Sequence, residues 1–468
     1  MHIQSVSGSG LAIVGAVLLV ARAAWCDAPL RELFRAELSV HTPVNFVAGQ
    51  LKGKTIFCVQ GDVLRDGKRI AAVDVLDASG NRVRTITEPG PTGSSQSGAY
   101  LQWIEDKDGP LLLFSWVPDK DGVSGGANLV RVADGKVIAR IENKTRFGNN
   151  NSIVADINCD GAADLLYADQ QSLALCALPT LEQRWRANTG INFCWSLPAF
   201  VDVTGDGREE IVYGGEYNNP DGSSSFVALD AQGKNVWRTD GHAEDLGSTP
   251  VFVADVDGDV ANELIKVGLD LEHRNKQEWN HVHVFDTQGK LKSRAAFGCT
   301  GIAIANLDTD AGLEGVGITN TRDGGSNGKH AIRCVDLASG HLEWETPIER
   351  SYLDDNSPVA ADFNGDGAIE IVAGTGNPWG YARLPGSEPW GDQHVVSGKG
   401  EILQHVALPG RPTNSALIDI DEDGAGELVS VLDGQPGWLA VYKTKARTAR
   451  REWQTPFGSA QRDGTMAK

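Results

Sequence analysis

"ADFNGDGAIEIVAG", residues 361–374, places Asp362, Asn364, Asp366 and Glu370 within nine positions, with Gly367 among them, and runs straight into a β-like apolar stretch. Five relatives of this segment lie along the chain: "ADINCDGAADLLYAD" (155–169), "VDVTGDGREEIVYGG" (201–215), "ADVDGDVANELIKVG" (254–268), "ANLDTDAGLEGVGIT" (305–319) and "IDIDEDGAGELVSVL" (418–432). Their first polar positions fall at 156, 202, 255, 306, 362 and 419, a spacing of 46 to 57 residues. A fixed beat of this size is the mark of a repeat architecture.

Each acidic segment is followed by an apolar run, and then by an alternating strand, a turn and a second strand that often ends in Trp. "FVALDAQGKNVW" (226–237), "VHVFDTQGKLK" (282–292) and "IRCVDLASGHLEW" (332–344) show it. Period-2 alternation on either side of a turn that opens with Asp and closes with Gly predicts a hairpin. Every unit therefore supplies four short strands. Two degenerate units precede the acidic ones: "VAGQLKGKTIFCVQG" (47–61) with "VDVLDASGNRV" (73–83), and "QWIEDKDGPLLLFSW" (102–116) with "LVRVADGKVIARI" (129–141). Four-stranded units cannot bury both faces alone, and radial stacking solves that problem. The expectation is an all-β chain folded as a β-propeller of eight four-stranded blades, or seven if one degenerate unit is only an elaboration. "LFRAELSV" (33–40) is the expected closing strand from the front, with "REWQTP" (451–456) at the back.

The shared spacing is D-x-[DNT]-x-D-G-x-x-[DE]. A hard cation such as Ca²⁺ takes six to eight oxygens at about 2.3–2.6 Å, and alternate residues of a tight loop can turn theirs inward together. The sixth position must turn sharply, which glycine does at no steric cost. An EF-hand opens the same way but ends on a bidentate Glu at position twelve, before a helix. Here that position is Tyr167, Tyr213, Ala373 or Ser430, and a strand follows, so the EF-hand reading fails. Three loops match throughout: Asp156/Asn158/Asp160/Asp164, Asp362/Asn364/Asp366/Glu370 and Asp419/Asp421/Asp423/Glu427. Asp202/Thr204/Asp206/Glu210 substitutes a hydroxyl, which still ligates. Asp255/Asp257/Asp259/Glu263 keeps its acids but has Val260 at the turn, where a β-branched residue resists positive φ. Asn306/Asp308/Asp310/Glu314 opens on a neutral amide, has Ala311 at the turn and is the weakest. Carboxylates crowded this closely repel one another without a cation. Several structural Ca²⁺ ions are the implied cofactors.

The composition agrees with an exported protein. The chain has 468 residues, 41% hydrophobic, with 55 glycines and a net charge of −20. Such acidity argues against nucleic acid or an anionic membrane surface as a partner. "LAIVGAVLLVA" (11–21) is too short to span a bilayer comfortably, and Ala21-Arg22-Ala23 has the form a signal peptidase prefers. Residues 1–26 are read as a signal peptide, with an uncleaved anchor as the other reading. Trp25 before Cys26 is too bulky for a lipidation site. Residues 30–460 are then a single propeller domain, secreted, periplasmic or on the cell surface, monomeric, with no membrane insertion of the mature chain. Seven scattered cysteines allow disulfides, for example among Cys159, Cys176 and Cys194, or buried free thiols.

The repeated segments, as in "DFNGDGAIEIV" and "DINCDGAADLL", resemble the FG-GAP/VCBS repeat family, found in integrin alpha-chain propellers and in many secreted bacterial proteins. The likeness covers about 155–434 directly and implies a calcium-bearing propeller. The family's ring serves adhesion, lectin-like binding and some polysaccharide lyases, so it does not decide activity. "EWQTPFGSAQRDG" (452–464) and the hairpins ending in Trp237 and Trp344 also look like the quinoprotein-type propeller. No adjacent-cysteine pair of the kind some of those enzymes place against their quinone is present, so the likeness is read as shared blade packing.

The longest insertions lie between the strand after each acidic loop and the hairpin, at 117–128, 216–225, 270–281, 320–330 and 377–394. They carry Tyr217, His273, Arg274, Trp279, Arg322, Lys329, Trp379, Tyr381, Arg383 and Trp390. Aromatic rings interleaved with Arg suit a sugar, whose C–H face stacks while its hydroxyls hydrogen-bond. The favoured function is recognition of carbohydrate or an extracellular protein. The alternative is a polysaccharide lyase similar to the rhamnogalacturonan lyases built on calcium-bearing propellers, with His242, His273 or Arg274 as base. Neither a Ser-His-Asp nor a zinc motif is present.

Overall fold

The computed structural model describes residues 28–87, 101–116, 126–142, 152–169, 171–191, 197–215, 223–242, 244–247, 249–269, 280–308, 310–319, 330–351, 358–377 and 390–447. All regular structure in them is strand, arranged as eight antiparallel four-stranded sheets. The sheets are the blades of a propeller. Blade one is β2–β5 (41–51, 54–65, 68–77, 82–87) and blade two β6–β9 (101–104, 111–116, 126–131, 137–142). Blade three is β10–β13 (152–155, 164–169, 172–177, 182–188), and blade four is β14–β17 (199–201, 210–214, 224–229, 235–242). Blade five is β18–β21 (251–254, 263–269, 280–285, 291–296) and blade six β22–β25 (303–305, 314–318, 331–336, 342–347). Blade seven is β26–β29 (359–361, 370–377, 390–397, 402–408). Blade eight joins β30–β32 (412–418, 425–432, 438–447) to β1 (31–37) in the order β1-β32-β31-β30. The front strand therefore closes the ring as read; residues 451–456 lie outside the described residues.

Apolar alternation dictates where the core lies. The middle strands are buried on both faces, as in "EIVYG" of β15 and "LLLFSW" of β7. Their side chains meet those of the neighbouring blade: Phe252 and Ile265 of blade five share a cluster with Ile304 and Ile332 of blade six and Ile371 of blade seven. The Trp residues that end the hairpins serve the same seam. The indole of Trp185 donates to the Ala231 carbonyl of the next blade at 2.9 Å, and Trp344 donates to Gly398 at 2.9 Å. The hairpin glycine beneath is obligatory, since a Cβ on Gly233 or Gly400 would lie 2.9 Å from the ring. Cys58, Cys159, Cys176, Cys299 and Cys334 are free thiols, so no bond joins Cys159 to Cys176; Cys194 lies outside the described residues.

Antiparallel order puts the connection between strands one and two at the same end of a blade as the hairpin between strands three and four. The connection between strands two and three, and the crossing to the next blade, share the other end. Acidic loops therefore sit at one rim, and the strand ends that flank the insertions, such as Trp116 and Gly126 or Asn377 and Trp390, at the opposite one.

Candidate metal loops and the insertion face

In the five acidic loops that open on Asp, that residue folds the chain around its own carboxylate. Asp202 accepts from the backbone NH groups of Thr204, Gly205, Asp206 and Gly207 at 2.6–3.2 Å. These bonds, Gly207 foremost, hold its carboxyl below the usual range. Asp156 does the same for Asp160 and Gly161, and Asp419 for Asp423 and Gly424. The second residue is apolar and anchors the loop: Val203, Val256 and Phe363 are buried, and Val203 and Val256 donate their NH to the ninth-position acid at 2.9 Å. That acid opens or nearly opens the second strand and is itself buried, as Asp164, Glu210, Glu263, Glu314, Glu370 or Glu427.

Two positions are left-handed in five of the loops, not one. Besides Gly161, Gly207, Gly367 and Gly424 at position six, position four has positive φ in Cys159, Gly205, Gly258, Gly365 and Glu422. Glycine at three of these is the signal the sequence carries, and the D-x-[DNT]-x-D-G spacing leaves that position free. Val260 does adopt φ +76°, largely out in solvent, so blade five keeps the loop shape at the cost of strain. Blade six closes by different chemistry: Asn306 Nδ2 donates to the carbonyls of Asp310 and Gly312 at 2.7 and 3.2 Å.

What lies among the carboxylates differs from blade to blade. In blade three Arg184 pairs with Asp160 at 2.9 Å and Asp164 at 3.0 Å. In blade five Lys292 reaches Asp257 at 2.8 Å and Glu263 at 2.7 Å; the two hydrogen bonds push its ammonium pKa up and hold Asp257 down. In blade eight Lys443 reaches Asp421, Asp423 and Glu427 at 3.3, 2.7 and 2.7 Å. In blade seven the Asn364 amide bridges Asp366 and Glu370 at 3.0 and 2.9 Å, and burial with the charges of Asp366 and Asp362 pushes Glu370 up to about 7.

Carboxylate oxygens lie within 4.8 Å of one another in four groups: Asp255/Asp257/Asp259, Asp308/Glu314/Glu343, Asp362/Asp366/Glu370 and Asp419/Asp421/Glu427. Oxygen-only donors at this density suit a hard divalent ion. Neither the acids of 156–164 nor those of 202–210 form such a group. Asn158 Oδ1 accepts the Asp160 NH at 2.9 Å, as Asn364 Oδ1 accepts the Asp366 NH at 2.8 Å in blade seven, and Arg184 pairs with the neighbouring acids. Thr204 likewise turns its hydroxyl onto Asp202, at 3.4 Å.

Tyr217, His273, Arg274, Trp279, Arg322, Lys329, Trp379, Tyr381 and Arg383 lie outside the described residues. Trp390 opens β28, and the Arg350 guanidinium lies 4.1 Å over its ring. Arg350 is fixed by Asp392 at 2.9 Å, which also meets His405 at 3.0 Å. Burial opposes it, but these two bonds hold the Asp392 carboxyl below its usual range. Blade five has a similar clamp around Glu244, on the crossing from blade four. It accepts from Arg294 and lies 2.8 Å from His281 Nδ1. His242 bonds Thr239 at 3.0 Å and stands edge-on to Phe285, and burial lowers its pKa. Those contacts describe a packed side chain rather than an exposed base.

These features define a β-propeller with metal-competent loops. The structure is similar to that of the Vibrio cholerae biofilm matrix protein Bap1, at 12% identity and a TM-score of 0.59 over 94% of this chain and 96% of that one. It is also similar to a europium-containing methanol dehydrogenase, at 10% identity and a TM-score of 0.56 over 89% and 93%. Both likenesses concern the fold. No family model and no curated protein matches the sequence.

Proposed function

We propose that this protein is an exported, calcium-stabilised propeller whose insertion rim recognises carbohydrate or a protein partner. One observation supports the reading: strand order puts the acidic loops at one rim and Trp390, at the start of β28, at the other. Ions can thus stiffen the ring without touching the ligand. Calcium held by the loops replaces a self-repelling cluster with a cross-link, the 362–370 loop foremost because its three acids already face one another. In the 156–164, 255–263 and 419–427 loops an ion must first displace Arg184, Lys292 or Lys443. The clamped Trp390 offers a fixed aromatic face beside the blade-seven insertion. The test is a glycan array probed with the full chain in Ca²⁺ and in EDTA. Saturable binding weakened at least tenfold by Trp390→Ala, with unchanged melting, supports it; turnover of pectic polymers to unsaturated products absorbing in the ultraviolet overturns it in favour of a lyase.

A further inference from the structure

The fourth strand of seven blades carries a β-bulge at one equivalent place, immediately after the hairpin. The register slips between Val284 and Phe285, whose partners are Ser293 and Leu291, leaving Lys292 as the extra residue. The same slip leaves Arg184 in blade three, Val236 in blade four, Glu343 in blade six and Leu403 in blade seven. A bulge re-aims its side chain, and here the hairpin end places it beside the acidic loop of its own blade. Arg184 and Lys292 reach into the carboxylates, as shown above. Blade six has an acid where they have a base.

Glu343 brings a third carboxylate to Asp308 and Glu314, with oxygens of all three within 4.8 Å. Among the described residues no Lys or Arg pairs with any of them. A second observation is independent of the clustering. Glu314 is completely buried and its Oε2 accepts from the Leu307 NH at 2.6 Å, while its Oε1 has no hydrogen-bond partner. A buried carboxylate oxygen without a partner is costly, and more so beside two like charges. In blades five and eight the equivalent oxygen is met by an ammonium, Glu263 Oε1 by Lys292 and Glu427 Oε1 by Lys443, each at 2.7 Å, and in blade seven Glu370 Oε1 is met by the Asn364 amide at 2.9 Å. Glu314 Oε1 has neither.

We propose that blade six binds a divalent cation of the calcium class through Asp308, Glu314 and Glu343, and that in blades three, five and six the bulge residue sets whether the loop carries a tethered base. The proposal rests on the calcium reading above and adds a ligand outside the acidic motif, in the loop that motif ranks last. The site is tested on the full chain, stripped with chelator and titrated with CaCl₂ by calorimetry, comparing wild type with Glu343→Lys, Glu343→Gln and, as a control, Asp362→Asn. Glu343→Lys is expected to lose one tight equivalent of Ca²⁺ while keeping the others. Glu343 is exposed and touches the core only through the Cys334 thiol, which donates to its Oε2 at 3.7 Å, and melting supplies a signed second readout. In EDTA, Glu343→Gln should raise the melting temperature by relieving repulsion; in Ca²⁺ it should lower it. Unchanged stoichiometry in Glu343→Lys, or a rise of the same size for Glu343→Gln in both buffers, overturns the blade-six site alone if Asp362→Asn still loses an equivalent. No uptake by wild type overturns both readings.

Discussion

Blades five and six are neighbours with the same hairpin and the same bulge, yet one carries Lys292 and the other Glu343 at that bulge. Blade five satisfies its buried acid from within the chain and tolerates a strained Val260 at the turn. Blade six leaves the Glu314 Oε1 unmet, and burial with the charges of Glu343, Asp308 and Asp310 pushes that carboxyl up to about 7. The lesson is that an acidic loop is a request for positive charge, and a propeller can answer it with an ion or with a side chain. The two answers have opposite dependence on the solvent.

The largest effect separating them is chelation. A site held at a hundred times its dissociation constant contributes about 2.7 kcal/mol, so EDTA should lower the melting temperature of wild type clearly, with full recovery on adding Ca²⁺. Identical melting in both buffers would erase the distinction between the blades. Next is Lys292→Met, which leaves Glu263 buried without its counter-charge. It should cost about 2–3 kcal/mol in EDTA and much less in Ca²⁺, read by urea denaturation. A loss of equal size in both buffers would mean that blade five cannot exchange its tethered base for an ion.

Acid should probe the opposite rim, where the clamps of blades five and seven hold buried histidines. Burial pushes His283 and His394 down to about 4. His283 faces Glu244, Arg294, His281 and His242, and His394 faces His405 and Asp392. The unfolded chain takes up these protons near the ordinary histidine value, about 6.5, while the native state does not until about pH 4. Stability therefore falls as pH drops from 6.5 towards 4, by up to about 1.4 kcal/mol per unit for each group. His394→Gln should flatten part of that slope in denaturant titrations without altering calcium uptake. The smallest effect is Val260→Gly, which removes the left-handed strain of blade five. A gain of about 0.5–1 kcal/mol is expected, the entropic cost of glycine offsetting part of the relief.

Much of the propeller was legible because its signals are local. The hairpins from Asp230 to Gly233 and from Asp286 to Gly289 announce themselves within a few residues, and the acidic loops repeat in register with the strands that follow. Eight units could be counted from those alone. The choice between tethered base and ion was not legible, because Arg184, Lys292 and Glu343 stand roughly thirty residues after their loops on strands whose other side chains alternate with solvent. A charged residue there looks like an ordinary exposed face until antiparallel pairing and the bulge bring it back. For the same reason the pairing of Arg184 with Asp160 and Asp164 cannot be read from the 156–164 loop alone. Lys443 is harder still, since it comes from the third strand of blade eight, where β1 supplies the fourth. The clamps at Glu244 and Arg350 rest on crossings between blades, which no short-range pattern encodes.

The seam of blade eight has a consequence for how the molecule is made. Arg31 pairs with Lys443, so the wheel is latched by two segments at far ends of the chain. Each earlier blade can knit from neighbouring residues as it emerges, but the latch must wait until β32 has been synthesised. Until then the first strand hangs as an unpaired edge, open to capture by another nascent copy. Late fastening of this kind makes a chain shortened before β32 prone to aggregate rather than merely less stable.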